Sequence, residues 1–247
     1  MPPLDPAPGP RPQASTPRPQ APGPRPLLVF DMDGVLVDVT ESYRESIAQT
    51  VRYFTGTAPT RERIQDYKNE GGWNDDWRLS HHMITLAGVD VPFETVKDYF
   101  QSIFLGNGSD GLIQREQWVA RPGVLESLNR QFDFALFTGR PLADARLTLD
   151  RFAGKLTFAP QVGMHEVTRH KPDPQGLLLI GAGADRPMYY VGDTVDDARC
   201  ARAAGIPFIG IAAPSNPRYI DLVFLFQAEK AYAVVDDINY LSEVFQS

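Results

Sequence analysis

The chain has 247 residues, of which 43% are hydrophobic, so it is long enough for one large domain or for a domain with a sizeable insertion. Its formal net charge is −7, and an acidic protein of this kind is not expected to bind nucleic acid. Cys200 is the single cysteine, which excludes an intrachain disulfide and a zinc site built from several cysteines.

The first 26 residues differ in composition from the rest of the chain. They contain 11 of the 22 prolines and show no apolar periodicity, which is typical of a disordered, extended tail. The tail lacks the apolar stretch of a secretory signal, and no later segment approaches the length needed to cross a membrane. We therefore expect a cytoplasmic protein with no membrane partner.

The first predicted strand covers residues 27–30. It is apolar throughout, as in a parallel strand that helices cover on both faces. Asp31 and Asp33 follow it directly, and Gly34 allows a tight turn beside them. Like charges this close together need solvent, a shared proton or a cation.

A helical insertion is predicted between this strand and residue 118. Apolar residues recur at helical spacing over residues 43–54, and Asp38 and Glu41 have the spacing of a capping box before them. Further amphipathic stretches follow at residues 60–68, 73–87 and 93–105. We predict an all-helical cap subdomain over residues 40–118.

The remainder of the chain alternates between strands and helices. Strands are predicted at residues 132–139, 155–160, 188–193 and 206–211, with a weaker one at 232–237, and helices at 123–130, 141–152, 174–182 and 194–204. This alternation predicts right-handed βαβ units and an α/β core, a doubly wound Rossmann-like parallel sheet built from residues 27–39 and 119–247. Ligands bind such sheets beyond the carboxyl ends of the strands.

Polar residues follow three of the predicted strands at that edge. Besides Asp31 and Asp33, the edge is expected to contain Thr138, Gly139, Asp193, Asp196 and Asp197, with Lys171 before the helix that leads into the acidic strand. Carboxylate oxygens suit a hard cation such as Mg²⁺, whereas a hydroxyl, backbone amides and an ammonium group suit phosphate. An aspartate that attacks phosphorus would divide a difficult hydrolysis into two displacements.

Four segments resemble the successive motifs of the haloacid dehalogenase (HAD) superfamily: DMDGVLVD, FTGR, HKPDP and VGDTVDD. Most members are Mg²⁺-dependent phosphatases, and the insertion between the first two motifs, followed by RPGVLESL at residues 121–128, resembles subfamily IA, the phosphoglycolate phosphatase-like branch. The resemblance implies that Asp31 is the nucleophile and Asp33 the general acid and base. It also implies that Thr138, Gly139 and Lys171 bind the phosphoryl group, and that Mg²⁺ is held by Asp31, the main-chain carbonyl of Asp33, Asp193 and Asp197.

The cap contains a polar segment, KNEGGWNDDW, at residues 68–77. It resembles a subgroup whose cap carries N-E-G-G-x-N-[ND]-D-W, some members of which are linked to histidine-biosynthesis genes. In one interpretation the segment only connects two helices. In the other, the Gly71–Gly72 pair shapes a loop that contacts the leaving group, and the candidate substrate residues are Lys68, Asn69, Asn74, Asp75, Trp77 and Arg140. The alternative role of Arg140 is to pair with a surface carboxylate.

We expect a phosphoric monoester hydrolase that acts on a small phosphorylated metabolite through an aspartyl-phosphate intermediate, with Mg²⁺ as cofactor. A phosphomutase of the same fold would return the phosphoryl group to a sugar phosphate, and the core motifs fit it equally well. A non-catalytic binding or regulatory module is a third alternative, although the motifs are intact. A dehalogenase needs no Mg²⁺, so the acidic residues at 193–197 argue against it. Phosphoglycolate, sugar phosphates and histidinol phosphate are the candidate substrates.

Overall fold

A computed structural model of the chain describes residues 23–183 and 185–246. Most of the predicted tail, residues 1–22, lies outside the described residues. The last residues of that tail contact the core. Arg25 Nη1 donates a hydrogen bond to the carbonyl of Asn129 at 2.6 Å, and the carbonyl of Pro26 accepts one from the N–H of Asp133 at 3.0 Å.

The elements alternate as the sequence predicts. In chain order they are β1 (Leu27–Phe30), β2 (Val37–Asp38), α1 (Tyr43–Thr55), α2 (Arg61–Glu70), α3 (Asp76–Leu86), α4 (Phe93–Leu105), β3 (Gln117–Trp118), α5 (Val124–Leu128), β4 (Asp133–Phe137), α6 (Leu142–Phe152), β5 (Phe158–Val162), α7 (Gln175–Gly181), β6 (Met188–Gly192), α8 (Val195–Ala204), β7 (Phe208–Ile211), α9 (Tyr219–Ala228), β8 (Ala233–Val235) and α10 (Leu241–Val244). Short 3₁₀ turns lie at Leu112–Arg115 and Ile238–Tyr240. In the described part of the chain, no helix is both long and apolar enough to span a bilayer.

Six parallel strands form the main sheet, in the order β5-β4-β1-β6-β7-β8. β1 lies between β4 and β6, with Val29 opposite Ala135 on one side and Tyr190 on the other. The strand order changes direction at β1, so the carboxyl ends of β1, β4 and β6 meet at one edge. The predicted doubly wound α/β fold is confirmed.

Helices cover both faces of this sheet. Successive residues of β1 point to opposite faces: Leu28 and Phe30 belong to one apolar cluster with Leu149 of α6, whereas Val29 belongs to a second cluster with Leu177 of α7. β1 is therefore fully buried, which explains its continuous apolar run.

Helices α1 to α4 pack on one another, as the predicted cap requires. Tyr43 of α1 lies against Phe104 of α4, with ring centroids 4.2 Å apart. β2 pairs antiparallel with β3, so both ends of the insertion leave the core side by side. The cap boundaries of 40–118 stay a prediction.

The predicted capping box before α1 is wrong. Ser42 is the residue at the N-cap, and its side chain makes no capping hydrogen bond. Asp38 Oδ1 instead accepts the N–H of Thr40 at 2.8 Å, within the turn that precedes the helix. α1 ends at Thr55, and Gly56 after it has a left-handed conformation with φ +80°.

Four other elements differ from the sequence prediction. β2 and β3 have two residues each, too few for a recognisable pattern. β5 begins at Phe158 rather than at 155, because the preceding residues form a turn after α6 in which the N–H of Leu156 donates to the carbonyl of Ala153. α9 has no one-sided apolar pattern, since Phe224 is exposed while Phe226 is buried.

Candidate active site

Three aspartate side chains converge where β1 and β6 end. Carboxylate oxygens of Asp31, Asp193 and Asp197 all lie within 4.8 Å of one another. Gly34 permits this approach, because its φ is +71° and a Cβ at this position would lie only 2.0 Å from Asp193 Oδ2. The tight turn after β1 is therefore packed directly against the acidic cluster.

The acidic cluster fits a hard divalent cation. Burial raises the pKa of Asp31 to about 7 even with Lys171 beside it, and Asp197 and Asp33 contribute to the rise. Burial, and then the charge of Asp31, raises the pKa of Asp193 well above its usual range. Among the described residues, Asp31 Oδ1 accepts no hydrogen bond of good geometry. Converging carboxylate oxygens that repel one another are the kind of ligand set that Mg²⁺ binds.

Lys171 is buried between two of these carboxylates. Its Nζ lies 3.0 Å from Asp31 Oδ1 and 2.9 Å from Asp197 Oδ1, and it donates to the carbonyl of Phe137 at 3.0 Å. Burial would lower the pKa of this ammonium, but Asp197 and Asp31 outweigh burial and raise it. Lys171 therefore stays charged beside the predicted nucleophile.

Asp197 is held by several donors besides Lys171. The hydroxyl of Tyr190 donates to Asp197 Oδ1 at 2.7 Å, and the hydroxyl of Thr194 donates to Oδ2 at 2.6 Å. Burial raises the pKa of Asp197, but Lys171 and these hydrogen bonds outweigh burial and bring the pKa below its usual range. Because both oxygens are already engaged, Asp197 has fewer free lone pairs for a cation than Asp31.

Arg140 is a buried side chain that holds Asp33. Its Nε donates to Asp33 Oδ1 at 2.7 Å, its Nη1 donates to Thr148 Oγ1 at 3.0 Å, and its Nη2 lies 2.7 Å from Glu116 Oε1. The guanidinium carbon lies 4.5 Å from the ring centroid of Tyr43. Pairing with a surface carboxylate, one role considered for Arg140, is wrong, since Glu116 is only 3% exposed.

Thr138 and Gly139 lie just beyond β4, at the same edge. Thr138 is buried, and its Oγ1 accepts the N–H of Arg140 at 3.2 Å, so its hydroxyl proton is free to be donated to a ligand. Asn74 of the cap packs directly against Gly139. The cap therefore reaches the core at the predicted phosphoryl-binding residues.

A narrow cleft of about 30 Å³ separates these groups from the cap. From the cap, four of the predicted substrate residues line it: Lys68, Asn74, Asp75 and Trp77. Three further residues that the sequence analysis missed also line it: Tyr43, Arg44 and Asp76. The described structure places Asn69 outside this lining, where its Oδ1 accepts a hydrogen bond from Gln65 within α2 at 2.9 Å.

A wider cleft of about 410 Å³ lies on the other side of Asp193. It runs between α2 and the loops that follow β7 and β8, and it shares Arg44 and Asp193 with the narrow cleft. The predicted nucleophile, Asp31, lines only the narrow cleft. We therefore assign the candidate active site to the narrow cleft.

Asp196 connects the core to the cap. Its two oxygens accept the N–H of Gly72 at 2.9 and 2.8 Å, and Arg199 Nη1 donates to the carbonyl of Glu70 at 3.1 Å. A Cβ at Gly71, where φ is +86°, would lie 2.8 Å from Asp196 Oδ1. Asp196 does not cap α8, because Thr194 occupies the N-cap. The Gly71–Gly72 pair is therefore shaped by the contact with Asp196.

A family model described as "haloacid dehalogenase-like hydrolase" matches residues 26–205. The chain is 34% identical over 200 residues to the imidazoleglycerol-phosphate dehydratase of Phytophthora nicotianae, a match that covers 76% of this chain and 44% of that protein. The chain thus spans less than half the length of that relative.

Two further similarities extend over most of both chains. The chain is 26% identical over 202 residues to a phosphoglycolate phosphatase of Mesorhizobium japonicum, covering 78% of this chain and 86% of the relative. Among solved structures, phosphatase Tt82 from Thermococcus thioreducens superimposes with a TM-score of 0.58 at 25% identity, covering 83% of this chain and 99% of that one.

Proposed function

The chain belongs to the haloacid dehalogenase-like hydrolases and resembles their phosphoglycolate phosphatase-like members, and from this we propose that it is a Mg²⁺-dependent phosphatase of small phosphomonoesters. The observation that carries the proposal is the position of Asp31. It lies at the end of the central strand, where Lys171 Nζ pairs with its Oδ1 at 3.0 Å and two further aspartates converge on it.

Asp31 is the proposed nucleophile. One of its carboxylate oxygens would attack phosphorus, the bond from phosphorus to the ester oxygen would break, and an aspartyl-phosphate would form. Asp33 would give a proton to the departing alkoxide. It would then accept a proton from the water that attacks phosphorus in the second displacement, which releases phosphate and regenerates Asp31.

The Mg²⁺ site is proposed to consist of Asp31, Asp193, Asp197 and the main-chain carbonyl of Asp33. When bound, the cation would offset the charge of the phosphoryl group that the nucleophile approaches. Lys171, which stays charged beside Asp31, and the free hydroxyl proton of Thr138 would bind phosphoryl oxygens together with the backbone amide of Gly139.

Arg140 is proposed to act through Asp33. Its Nε fixes Asp33 Oδ1, which leaves Oδ2 for the proton transfers. The guanidinium is fixed in turn by Thr148 and Glu116. The orientation of the general acid and base therefore depends on a buried network.

One comparison favours a second candidate substrate besides phosphoglycolate. The relative at 34% identity is named for an imidazole-bearing phosphomonoester, imidazoleglycerol phosphate, although the chain covers only 44% of that protein. An imidazole-bearing phosphomonoester such as histidinol phosphate is therefore a candidate substrate beside phosphoglycolate and sugar phosphates.

Release of inorganic phosphate tests the proposed function. The wild-type chain with Mg²⁺ should release phosphate from members of a broad metabolite panel, and Asp31→Asn should abolish release while it keeps the fold. Formation of an isomeric phosphate ester without phosphate release would establish a phosphomutase. Normal activity of a folded Asp31→Asn variant would exclude Asp31 as the nucleophile, and an inactive wild-type chain would favour the binding-module alternative.

A further inference from the structure

The side chains that line the narrow cleft carry an excess of negative charge. Its lining contains the carboxylates of Asp31, Asp33, Asp75, Asp76 and Asp193, against the cations of Arg44, Lys68 and Arg140. Beneath it, Lys171 and Asp197 pair with each other. A divalent cation and a phosphoryl dianion would balance each other, so the excess of negative charge remains when both are bound.

The three cations of the cleft are already paired with carboxylates. Lys68 is 4% exposed, and its Nζ donates to the carbonyl of Trp73 at 2.7 Å and pairs with Asp76. Arg44 Nη1 lies 3.6 Å from the same Asp76 carboxylate. Arg140, which is 1% exposed, is held by Asp33 and Glu116.

A negatively charged leaving group would therefore be a poor fit. To bind its carboxylate, the cleft would have to break one of these pairs and leave an aspartate without a counter-charge in a largely buried place. An uncharged or positively charged leaving group requires no such exchange.

Two aromatic side chains in the cleft have polar atoms without partners. Tyr43 and Trp77 are 5% and 6% exposed. Within the described residues, neither the Tyr43 hydroxyl nor Trp77 Nε1 makes a hydrogen bond. Buried polar atoms of this kind are normally paired, so a bound molecule is the natural partner. These two residues offer hydrogen bonds to a ligand, but no charge.

We propose that the substrate is a phosphomonoester of a neutral or cationic alcohol, and not one whose leaving group bears a carboxylate. The proposal rests on the proposed phosphatase function. It separates this chain from the phosphoglycolate phosphatases that it resembles, because the leaving group of phosphoglycolate is a carboxylate-bearing alcohol.

The test is a series of substrates of equal length that differ in charge. Phosphate release would be measured with Mg²⁺ for O-phosphoethanolamine, 2-hydroxyethyl phosphate and 2-phosphoglycolate, whose leaving groups are cationic, neutral and anionic. We expect kcat/KM for 2-phosphoglycolate to be lower than for the other two by about tenfold or more. Phenyl phosphate and 4-carboxyphenyl phosphate extend the comparison to leaving groups with an aromatic ring. We expect kcat/KM to be lower for the carboxylate-bearing ester of this pair as well.

The outcomes separate this proposal from the one on which it rests. Equal or preferred turnover of the carboxylate-bearing esters would overturn the proposal that the leaving group bears no carboxylate. The phosphatase function would remain intact. No phosphate release from the five esters or from any member of the metabolite panel would overturn the phosphatase function, and the present proposal with it.

A substitution in the cleft tests whether its paired carboxylates exclude a negatively charged leaving group. Asp76→Asn removes the carboxylate that pairs with both Lys68 and Arg44, so the ratio of kcat/KM for 2-phosphoglycolate over O-phosphoethanolamine should rise about tenfold. Glu41→Gln is the matched control, because Glu41 is an exposed carboxylate that pairs with Arg61 outside this cleft. An unchanged ratio in folded Asp76→Asn would contradict the proposal. The wild-type series decides the question if that variant does not fold.

Discussion

Asp196→Ala tests how the cap is held against the core. The carboxylate is 2% exposed and accepts the N–H of Gly72 with both oxygens, at 2.9 and 2.8 Å. A hydrogen bond to a charged group contributes about 1.5–3 kcal/mol, so its loss should lower the ratio of closed to open cap by roughly 10- to 150-fold. If catalysis requires the closed cap, kcat/KM falls by up to that factor.

Two measurements on the same variant check this expectation. Hydrogen exchange at the Gly72 amide should accelerate by about 10- to 150-fold, and kcat/KM for phenyl phosphate should fall by no more than the same factor. The matched control is Arg218→Met, which breaks an exposed ion pair between the core and Asp66 of α2 and should change either quantity by less than about fivefold. Lost activity with unchanged exchange at Gly72 would refute the argument and assign Asp196 to the metal cluster. Equal effects of both substitutions would also refute it.

Four further substitutions or treatments have defined outcomes. Arg140→Met leaves Asp33 and Glu116 without their shared cation and should lower the free energy of unfolding by about 3–5 kcal/mol. Arg61→Met, at an exposed ion pair, is the control and should lower it by at most about 1 kcal/mol. Similar losses for the two variants in chemical denaturation would show that the buried network stabilises the fold no more than an exposed pair does. EDTA should abolish phosphate release and Mg²⁺ should restore it, with Ca²⁺ a poor substitute because of its looser coordination; full activity in EDTA would exclude the metal. Burial and the charge of Asp31 raise the pKa of Asp193, so at pH values above the usual pKa of an aspartate the ionised Asp193 carboxylate destabilises the folded state. Asp193→Asn should therefore raise Tm in EDTA at neutral pH. A lower Tm would contradict the argument that these carboxylates repel one another. Burial raises the pKa of the Cys200 thiol to about 12, so a thiol reagent at neutral pH should modify it only after unfolding, and rapid modification of the native protein would contradict its buried position.

The sequence predicts the core of the site because strand ends determine it. Asp31, Thr138 and Asp193 each follow a short apolar run, and parallel strands bring such positions to one edge whatever the loops between them do. Lys171 is not at a strand end, and its position was inferred from a motif rather than from a pattern of the fold. The structure brings it within 3.0 Å of Asp31.

The supporting contacts were not predictable for a physical reason. Glu116 and Thr148 hold Arg140 from a cap-to-core connection and a helix, and nothing in their local sequence indicates a buried ion pair. Tyr190 is one residue of an apolar strand, and only its neighbour in space, Asp197, gives its hydroxyl a role. Such contacts depend on packing between distant segments, whereas the motifs depend on residue order.

The narrow cleft is too small for a substrate, which gives the contact between Asp196 and the cap a role in substrate entry. The cleft of about 30 Å³ holds roughly one water molecule, whereas pockets for small ligands occupy about 300–1,000 Å³. We therefore expect the cap to move away from the core when a phosphomonoester enters, and such a movement would break or shift the bond between Asp196 and Gly72. Asp196 directly precedes Asp197, which holds Lys171 beside the nucleophile. The first turn of α8 thus contacts the cap with one aspartate and orders the active site with the next, so cap closure and the position of Lys171 depend on the same short segment.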